Sequence, residues 1–236
     1  VADLLCPDKR DTRLLRERLA VLAVRLRFKI PHIRVSFLPG LHDLPKDRRR
    51  ALELPLLNKA VERWAQRNGA SKSRPQIQWQ PSGKPEAQVA DQPLEISLAH
   101  DNRYCLVAAG SCPLGCDQAP VTHRSMQQWT GLLGPFGKNL SDGQPVGDEL
   151  DRRGTALWAA REVLQKLNVT ETLSIEFENP TDDSIVFVCT TDKGVMKVLT
   201  FWTVLTRGRE RVLALSVIDS PAALTADEAP EIDYPG

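Results

Sequence analysis

From Gly154 onward the chain carries one helical pattern and then four strand-like runs separated only by short polar turns. The helix is read over Gly154 to Leu167 and the strands over Leu173–Glu178, Ile185–Thr190, Val195–Thr206 and Arg211–Ile218, with a turn at Asp192-Lys-Gly194. Connections this short suit antiparallel pairing, because a parallel pair needs a crossover of a dozen residues or more. The first half offers a comparable order. Leu15, Leu19, Leu22 and Leu26 recur among arginines and predict an amphipathic helix over about 11–28, closed by Pro31. Ile33–Leu38 alternates like a strand and ends at Pro39-Gly40. Leu52, Leu56, Ala60 and Trp64 mark a second helix that stops at Asn68-Gly69, with Pro55 predicting a kink or a late start. Leu94–Ala99 and Tyr104–Ala109 read as paired strands. Residues 70–93 read as loop, with a short strand at Ile77–Trp79, and 131–148 (GLLGPFGKNLSDGQPVGD) as a mobile Gly/Pro-rich segment. The expected class is α+β with two similar halves.

Composition narrows the functions open to such a chain. A hydrophobic content of 42%, a charged content of 26% and a net charge of +1 over 236 residues fit a soluble globular protein. They give no global case for nucleic acid; aromatic residues make up only 6% and do not interleave with arginines. The charge is uneven, however. Residues 1–50 hold 13 Lys/Arg against 6 Asp/Glu, and the segment from Asp219 to Gly236 holds five acids and no base. A basic first segment suits an anionic ligand or an acidic partner as well as it suits a solvated helix face. No apolar run approaches the roughly 18 residues of a membrane span. The start VADLLCPDKRD shows no signal-peptide pattern and no initiator Met, which reads as an excised or processed domain. Five cysteines at irregular spacing fit a reducing cytoplasm better than a disulfide framework.

Four short elements could carry chemistry. In SCPLGCDQAP, Gly115 gives the backbone room to approach a ligand, and Asp117 follows at the end of an apolar strand. Paired with a glutamate from elsewhere, Asp117 could hold a hard cation such as Mg²⁺; alone it would be a cap or turn residue. Cys112 and Cys116 lack the second ligand pair that a zinc site needs. In the helix LWAAREVLQKL, Leu157, Ala160, Val163, Leu164 and Leu167 fall on one side, while Trp158, Glu162 and Lys166 stack on the other. That stack is either an exposed Glu–Lys pair or the wall of a cleft, and the tryptophan argues for the cleft. Ser82-Gly83-Lys84-Pro85 is a basic turn, and ISLAHD places His100 at a strand end, where it would be a loop residue or a phosphate ligand. A P-loop reading of Gly131–Asn139 fails on spacing.

Taken in order, GKP, the SLAH strand end, GCD and WAAREVLQK resemble the 4′-phosphopantetheinyl transferases of the larger, pseudo-dimeric, surfactin-synthetase-activating type, whose pattern is roughly GKP, NxSHS, GxDxE and WxxKExxxK. The intervals match as well: 16 residues from Lys84 to His100, 17 to Asp117 and 45 to Glu162. The resemblance covers about residues 80–170, and the helix with Arg48–Arg50 before it is similar to the family's first half. Within the family, the Gly-Cys-Asp-x-x-Pro-Val run looks most like transferase domains fused to iterative, enediyne-type polyketide synthases. Ser97 stands where the pattern has Asn, Ala99 where it has Ser, Arg161 where it has Lys, and Ala119 where many members carry a second acid.

The resemblance implies a pseudo-two-fold α+β fold, each half a small antiparallel sheet on a long helix, with the active site between the halves. It divides the chain into a lead-in helix (1–30), a first half (31–110), a second half (111–219) and an acidic, poorly ordered tail (220–236). It implies a cytoplasmic, monomeric enzyme of antibiotic biosynthesis that moves 4′-phosphopantetheine from coenzyme A to a serine of an apo acyl carrier protein, in cis or in trans, with Mg²⁺. Asp117 and Glu162 become the metal ligands, and Glu162, Lys166 and Asp117 the catalytic set. Lys84, Gly83, Pro85, His100, Arg48, Arg49 and Arg50 become the nucleotide-binding set. A module that binds coenzyme A or a carrier without turnover is the alternative, and an unrelated Mg²⁺-dependent phosphohydrolase is a weaker one.

Overall fold

The computed structural model describes residues 9–26, 31–70, 74–141, 145–178, 181 and 183–218. The tail from 220 and the last residues expected in the first helix lie outside them. The chain is α+β: among the described residues it has four α-helices and two five-stranded antiparallel sheets. The first half runs from β1 (His32–Phe37) through α2 (Lys46–Arg67) to β2 (Gln76–Trp79), β3 (Pro85–Val89), β4 (Gln92–His100) and β5 (Tyr104–Gly110). The second runs from β6 (Leu114–Pro120) through α3 (Met126–Leu133) and α4 (Asp148–Lys166) to β7 (Thr172–Glu178), β8 (Ser184–Thr191), β9 (Gly194–Val204) and β10 (Glu210–Val217). The sheet orders are β1-β5-β4-β3-β2 and β6-β10-β9-β8-β7, so each half threads the same way: one strand, a helix, then a meander whose last strand returns to pair with the first.

Alternation along the strands builds three apolar layers. Ile96, Val107 and Ala109 pack on Leu56, Leu57, Ala60 and Val61 of α2. Residues of opposite parity, such as Ala99, Leu106 and Ala108, meet Leu199, Phe201, Leu213 and Leu215 of the second sheet. The far face of that sheet, with Phe187, Val198 and Ala214, packs on Leu157, Ala160, Val163 and Leu164 of α4. The first helix, α1 (Lys9–Leu26), inserts Leu15, Leu19 and Leu22 into the middle layer. It also closes the free edge of β1: the Thr12 hydroxyl donates to the Val35 carbonyl and accepts from its N–H, both at 3.2 Å. Asp11 Oδ1 accepts from Thr206 N at 2.9 Å and Oγ1 at 2.6 Å, tying α1 to the second half. None of the described helices is long and apolar enough to cross a membrane.

Three expectations are corrected. Residues 70–93 hold the hairpin β2–β3, registered Ile77↔Ala87. Its strands alternate Ala87 and Val89 inward with Glu86 and Gln88 outward, a pattern too polar to stand out from a loop. Residues 131–141 are folded: α3 begins with a capping box between Ser125 and Gln128, buries Leu133 at its end and continues into a 3-10 segment, Gly134–Ser141, that buries Leu140. Trp129 of α3 packs directly over Gly154 of α4, where an added Cβ would sit 2.4 Å from the indole. Finally, α2 starts at Lys46, nine residues before Pro55, so the proline causes no late start.

Candidate active site at the seam between the sheets

β6 begins the second sheet but lies against β4 of the first. Cys116 N donates to Ser97 Oγ at 2.9 Å, and Gln118 Nε2 donates to the Tyr104 carbonyl at 2.8 Å. Ser97 therefore fastens the seam. Gly115 serves a different close approach from the one expected of it. A Cβ there would lie 2.9 Å from the Val163 carbonyl and 3.3 Å from Leu167 Cγ, so glycine lets β6 pack directly against α4 rather than against a ligand.

That contact brings the three proposed catalytic side chains together. Lys166 Nζ donates to Asp117 Oδ1 and to the Cys116 carbonyl, each at 2.8 Å. The Asp117 side chain is 13% exposed and that of Lys166 30% exposed. Burial raises the Asp117 carboxyl above the usual range; Lys166 opposes the rise without cancelling it. Glu162, one turn before Lys166, is also raised, first by burial and then by the charge of Asp117. Two carboxylates that repel each other, beside one ammonium, form a site to which a further cation would be attracted. Ala119 lies on the same side of β6 as Asp117, so no third acid projects there. Among the described residues no group of three or more His, Cys, Asp or Glu side chains is placed to hold a metal by itself. The donor set still fits Mg²⁺, which takes one or two protein carboxylates and completes its shell with water and substrate phosphate oxygens.

His100, at the end of β4, joins this centre to the first half. Its Nε2 lies 3.6 Å from Glu53 Oε1, and its ring packs edge-on to His42 at 4.8 Å. Burial lowers its pKa to about 4, helped by the charges of Arg49, His42 and Lys166, so the ring is neutral at pH 7. Glu53 is 1% exposed, and burial raises its carboxyl against the pull of Arg49, whose Nε is 3.8 Å away, and of Arg50. Glu53 Oε1 and His100 Nδ1 are buried without a hydrogen-bond partner in the protein. A pair left open in this way beside a basic rim suits a ligand or water that would complete it. The basic turn packs on the same helix: Gly83 takes φ 92°, and a Cβ there would stand 4.0 Å from the Arg50 guanidinium, which itself stacks on Trp79 at 4.8 Å. Lys84 Nζ is 3.4 Å from Glu95 Oε2, and Pro85 opens β3 opposite Trp79.

The structure thus groups Asp117, Glu162 and Lys166, places His100 within electrostatic reach of Lys166, and sets Arg49, Arg50, Gly83, Lys84 and Pro85 around α2 and its neighbouring hairpin. Arg48 is not drawn in; it is exposed, and no described contact ties it to the cleft. Trp158 is half-buried against the α4 core, which accounts for an aromatic one turn from an ion pair. Cys116 is fully buried, and burial raises its thiol to about 11, so it stays protonated. Sequence reasoning missed Glu53 and His42. The signal for Glu53 was a lone carboxylate in the apolar stripe that continues through Leu56, Leu57 and Ala60. His42 had no comparable signal. No protein-family model matches the chain, and no curated protein matches it.

Proposed function

We propose that the chain is a 4′-phosphopantetheinyl transferase acting on an apo acyl carrier protein, as expected of the family its motifs resemble. The carrying observation is the Asp117–Lys166–Glu162 group at the seam between the two sheets, with the neutral His100 ring and its half-open contact to Glu53 beside it. Phosphoryl transfer needs positioning and charge neutralisation more than covalent chemistry, and this site offers both. Asp117 and Glu162 would hold Mg²⁺, which when bound neutralises charge on the pyrophosphate.

The chain's own groups account for the remaining steps. Arg49, Arg50, Lys84 and His100 bind the nucleotide phosphates of coenzyme A. The carrier's serine oxygen attacks the pyrophosphate phosphorus that bears the pantetheine arm. The P–O bond to adenosine 3′,5′-bisphosphate breaks, and Glu162, its basicity raised by burial and by Asp117, accepts the serine proton. Lys166 stays within reach of the charge that builds on the leaving phosphate.

Mass spectrometry of apo carrier proteins incubated with coenzyme A, Mg²⁺ and the protein tests the reading. The carrier should gain one phosphopantetheine, and Glu162→Gln should lose at least about 100-fold in rate while melting like wild type. Absence of the adduct across several carriers refutes transfer. Ala119, in place of a further acid, favours a second reading: a module that binds coenzyme A or a carrier without turnover. Calorimetric binding of coenzyme A with no adduct identifies it.

A further inference from the structure

A second basic site lies at the opposite end of the first sheet. His32 and Arg34 lie two apart on β1, on the face away from Ile33 and Val35, which enter the layer between the sheets. Arg63 and Arg67 are one turn apart on α2, which packs across β1. Arg16 sits one turn after Thr12, the residue that fastens α1 to Val35. Three elements therefore bring four arginines near one histidine, and the charges of all four act on the His32 ring.

Nothing in the described structure neutralises them. None of the four arginines has an ion-pair partner within 4.0 Å, and Glu17, the nearest acid along α1, is held by Arg13 at 2.7 Å. From Arg25 to Pro39 the sequence holds no acid. Arg16 and Arg34 are each disfavoured as cations, first by burial and then by the other arginines. His32 is 6% exposed, yet both its ring nitrogens lack a hydrogen-bond partner, as does the buried Arg34 Nε. The buried Arg34 Nε–H and the protonated ring nitrogen of His32 are thus donors without an acceptor beneath arginines that no carboxylate neutralises; of these, Arg63 donates to the uncharged Gln66 Oε1 at 3.2 Å.

We propose that His32, Arg16, Arg34, Arg63 and Arg67 form a binding site for a small phosphate dianion, separate from the seam. Guanidinium forks match phosphate oxygens two at a time, and convergence on one point suits a compact dianion better than an extended acidic peptide, whose charges are spread out. The five steps of register from His32↔Ala109 to Phe37↔Tyr104 put the site about 17 Å along the sheet from the end that holds His100.

Nitrogen-15 NMR of the imidazole rings tests this, because the chain has only four histidines. Titrating the full chain with inorganic phosphate, against sodium chloride at matched ionic strength, should give a saturable shift of the His32 resonances. In R63Q/R67Q, whose altered side chains are both exposed, the phosphate affinity read at His32 should fall at least tenfold. The His42 and His100 signals, which report the seam separately, should keep their wild-type response. No saturable shift at His32, an equal shift with chloride, or an unchanged affinity in the double variant would overturn the proposal. So would a shift that appears only after Asp219, Asp227, Glu228, Glu231 and Asp233 are changed to their amides. In that case the chain's own carboxylates fill the site.

Discussion

Gly115→Ala probes the contact on which the candidate site depends. The new methyl would start 2.9 Å from the Val163 carbonyl oxygen and 3.0 Å from its Cγ1. The carbonyl is backbone of α4 and has no rotamer to adopt, so the helix and β6 must separate by a few tenths of an ångström or more. Overpacking of this kind costs about 1–3 kcal/mol. For a chain of 236 residues that lowers Tm by about 2–12 °C, at roughly 2–4 °C per kcal/mol. The same separation moves Lys166 and Glu162 away from Asp117 across a 2.8 Å contact. Misplacement by about 1 Å can cost about 100-fold in rate, so transfer should suffer more than stability does. Gly131→Ala is the control. Gly131 lies in α3 with nothing within 4 Å of its would-be Cβ, so alanine should leave the stability unchanged or raise it by up to about 1 kcal/mol of helix propensity. Thermal melts followed by circular dichroism read the stability term, and carrier-modification rates read the positional one. If G115A melts within a degree of wild type, β6 and α4 are not held apart by that methyl, and the account of how the three side chains meet fails.

Three further outcomes are expected. Lys166→Met removes the cation from a mostly buried carboxylate, so Asp117, followed by carbon-13 NMR, should titrate at still higher pH, with transfer slowed about 100-fold or more. Gly154→Ala drives a Cβ to 2.4 Å from the Trp129 indole and should cost at least as much stability as G115A, with loss of the buried tryptophan's near-ultraviolet signal. Acidification should destabilise the fold: His32 and His100 titrate at about 3 and about 4 when folded but near 6.5 when unfolded, so the unfolded chain binds more protons between those values. The stability they confer is complete above about pH 6.5 and is lost as pH falls toward 4, by on the order of 3 kcal/mol or more for each. Protonation of Glu53, Asp117 and Glu162, whose carboxyls are raised, offsets part of that loss; urea titrations at pH 7 and pH 5 measure the difference.

The fold was legible where burial imposes a period. The apolar stripes of α2 and α4 and the four runs after Leu173 translate directly into elements because each faces a core on one side. Of the hairpin β2–β3, the outer strand was legible at Ile77–Trp79 but β3 was not, because Glu86 and Gln88 alternate with the small Ala87 and a single Val89 in a run too polar to stand out from a loop. The α3 segment was hidden by composition: Gly134, Pro135 and Gly137 suggest a loop, yet Gly137 is needed for closeness, with Thr130 Cα only 2.6 Å from its would-be Cβ. In the site, Asp117, Glu162 and Lys166 could be paired on spacing and resemblance, but the agent of their meeting could not. Gly115 was read as room for a ligand, and only three dimensions show Val163 in that room. Glu53 and His42 reach His100 through tertiary packing of α2 and the turn before it, which no local pattern encodes.

The charge states at the seam follow from where the elements end. Asp117 and Glu162 are raised and repel each other, which favours arrival of a cation; His100 is held neutral by burial among cations, which favours arrival of an anion. Lys166 contributes to both effects, pairing with Asp117 while adding to the field that suppresses His100⁺. A ligand carrying only one of the two charges would relieve half of the imbalance and worsen the other half: a lone divalent cation would further disfavour His100⁺, and a lone phosphate would press on the carboxylates. A metal–pyrophosphate unit supplies both charges at once. Its cation would face the carboxylates of β6 and α4, and its phosphates would face His100 and the arginines of α2. Binding of the anion should therefore depend on the cation, and the cation on the anion, with the same coupling factor in each direction. That reciprocity is measurable as the change in coenzyme A affinity with and without Mg²⁺, in wild type and in Glu162→Gln. In the variant one carboxylate is neutralised, and the coupling should shrink even if coenzyme A still binds.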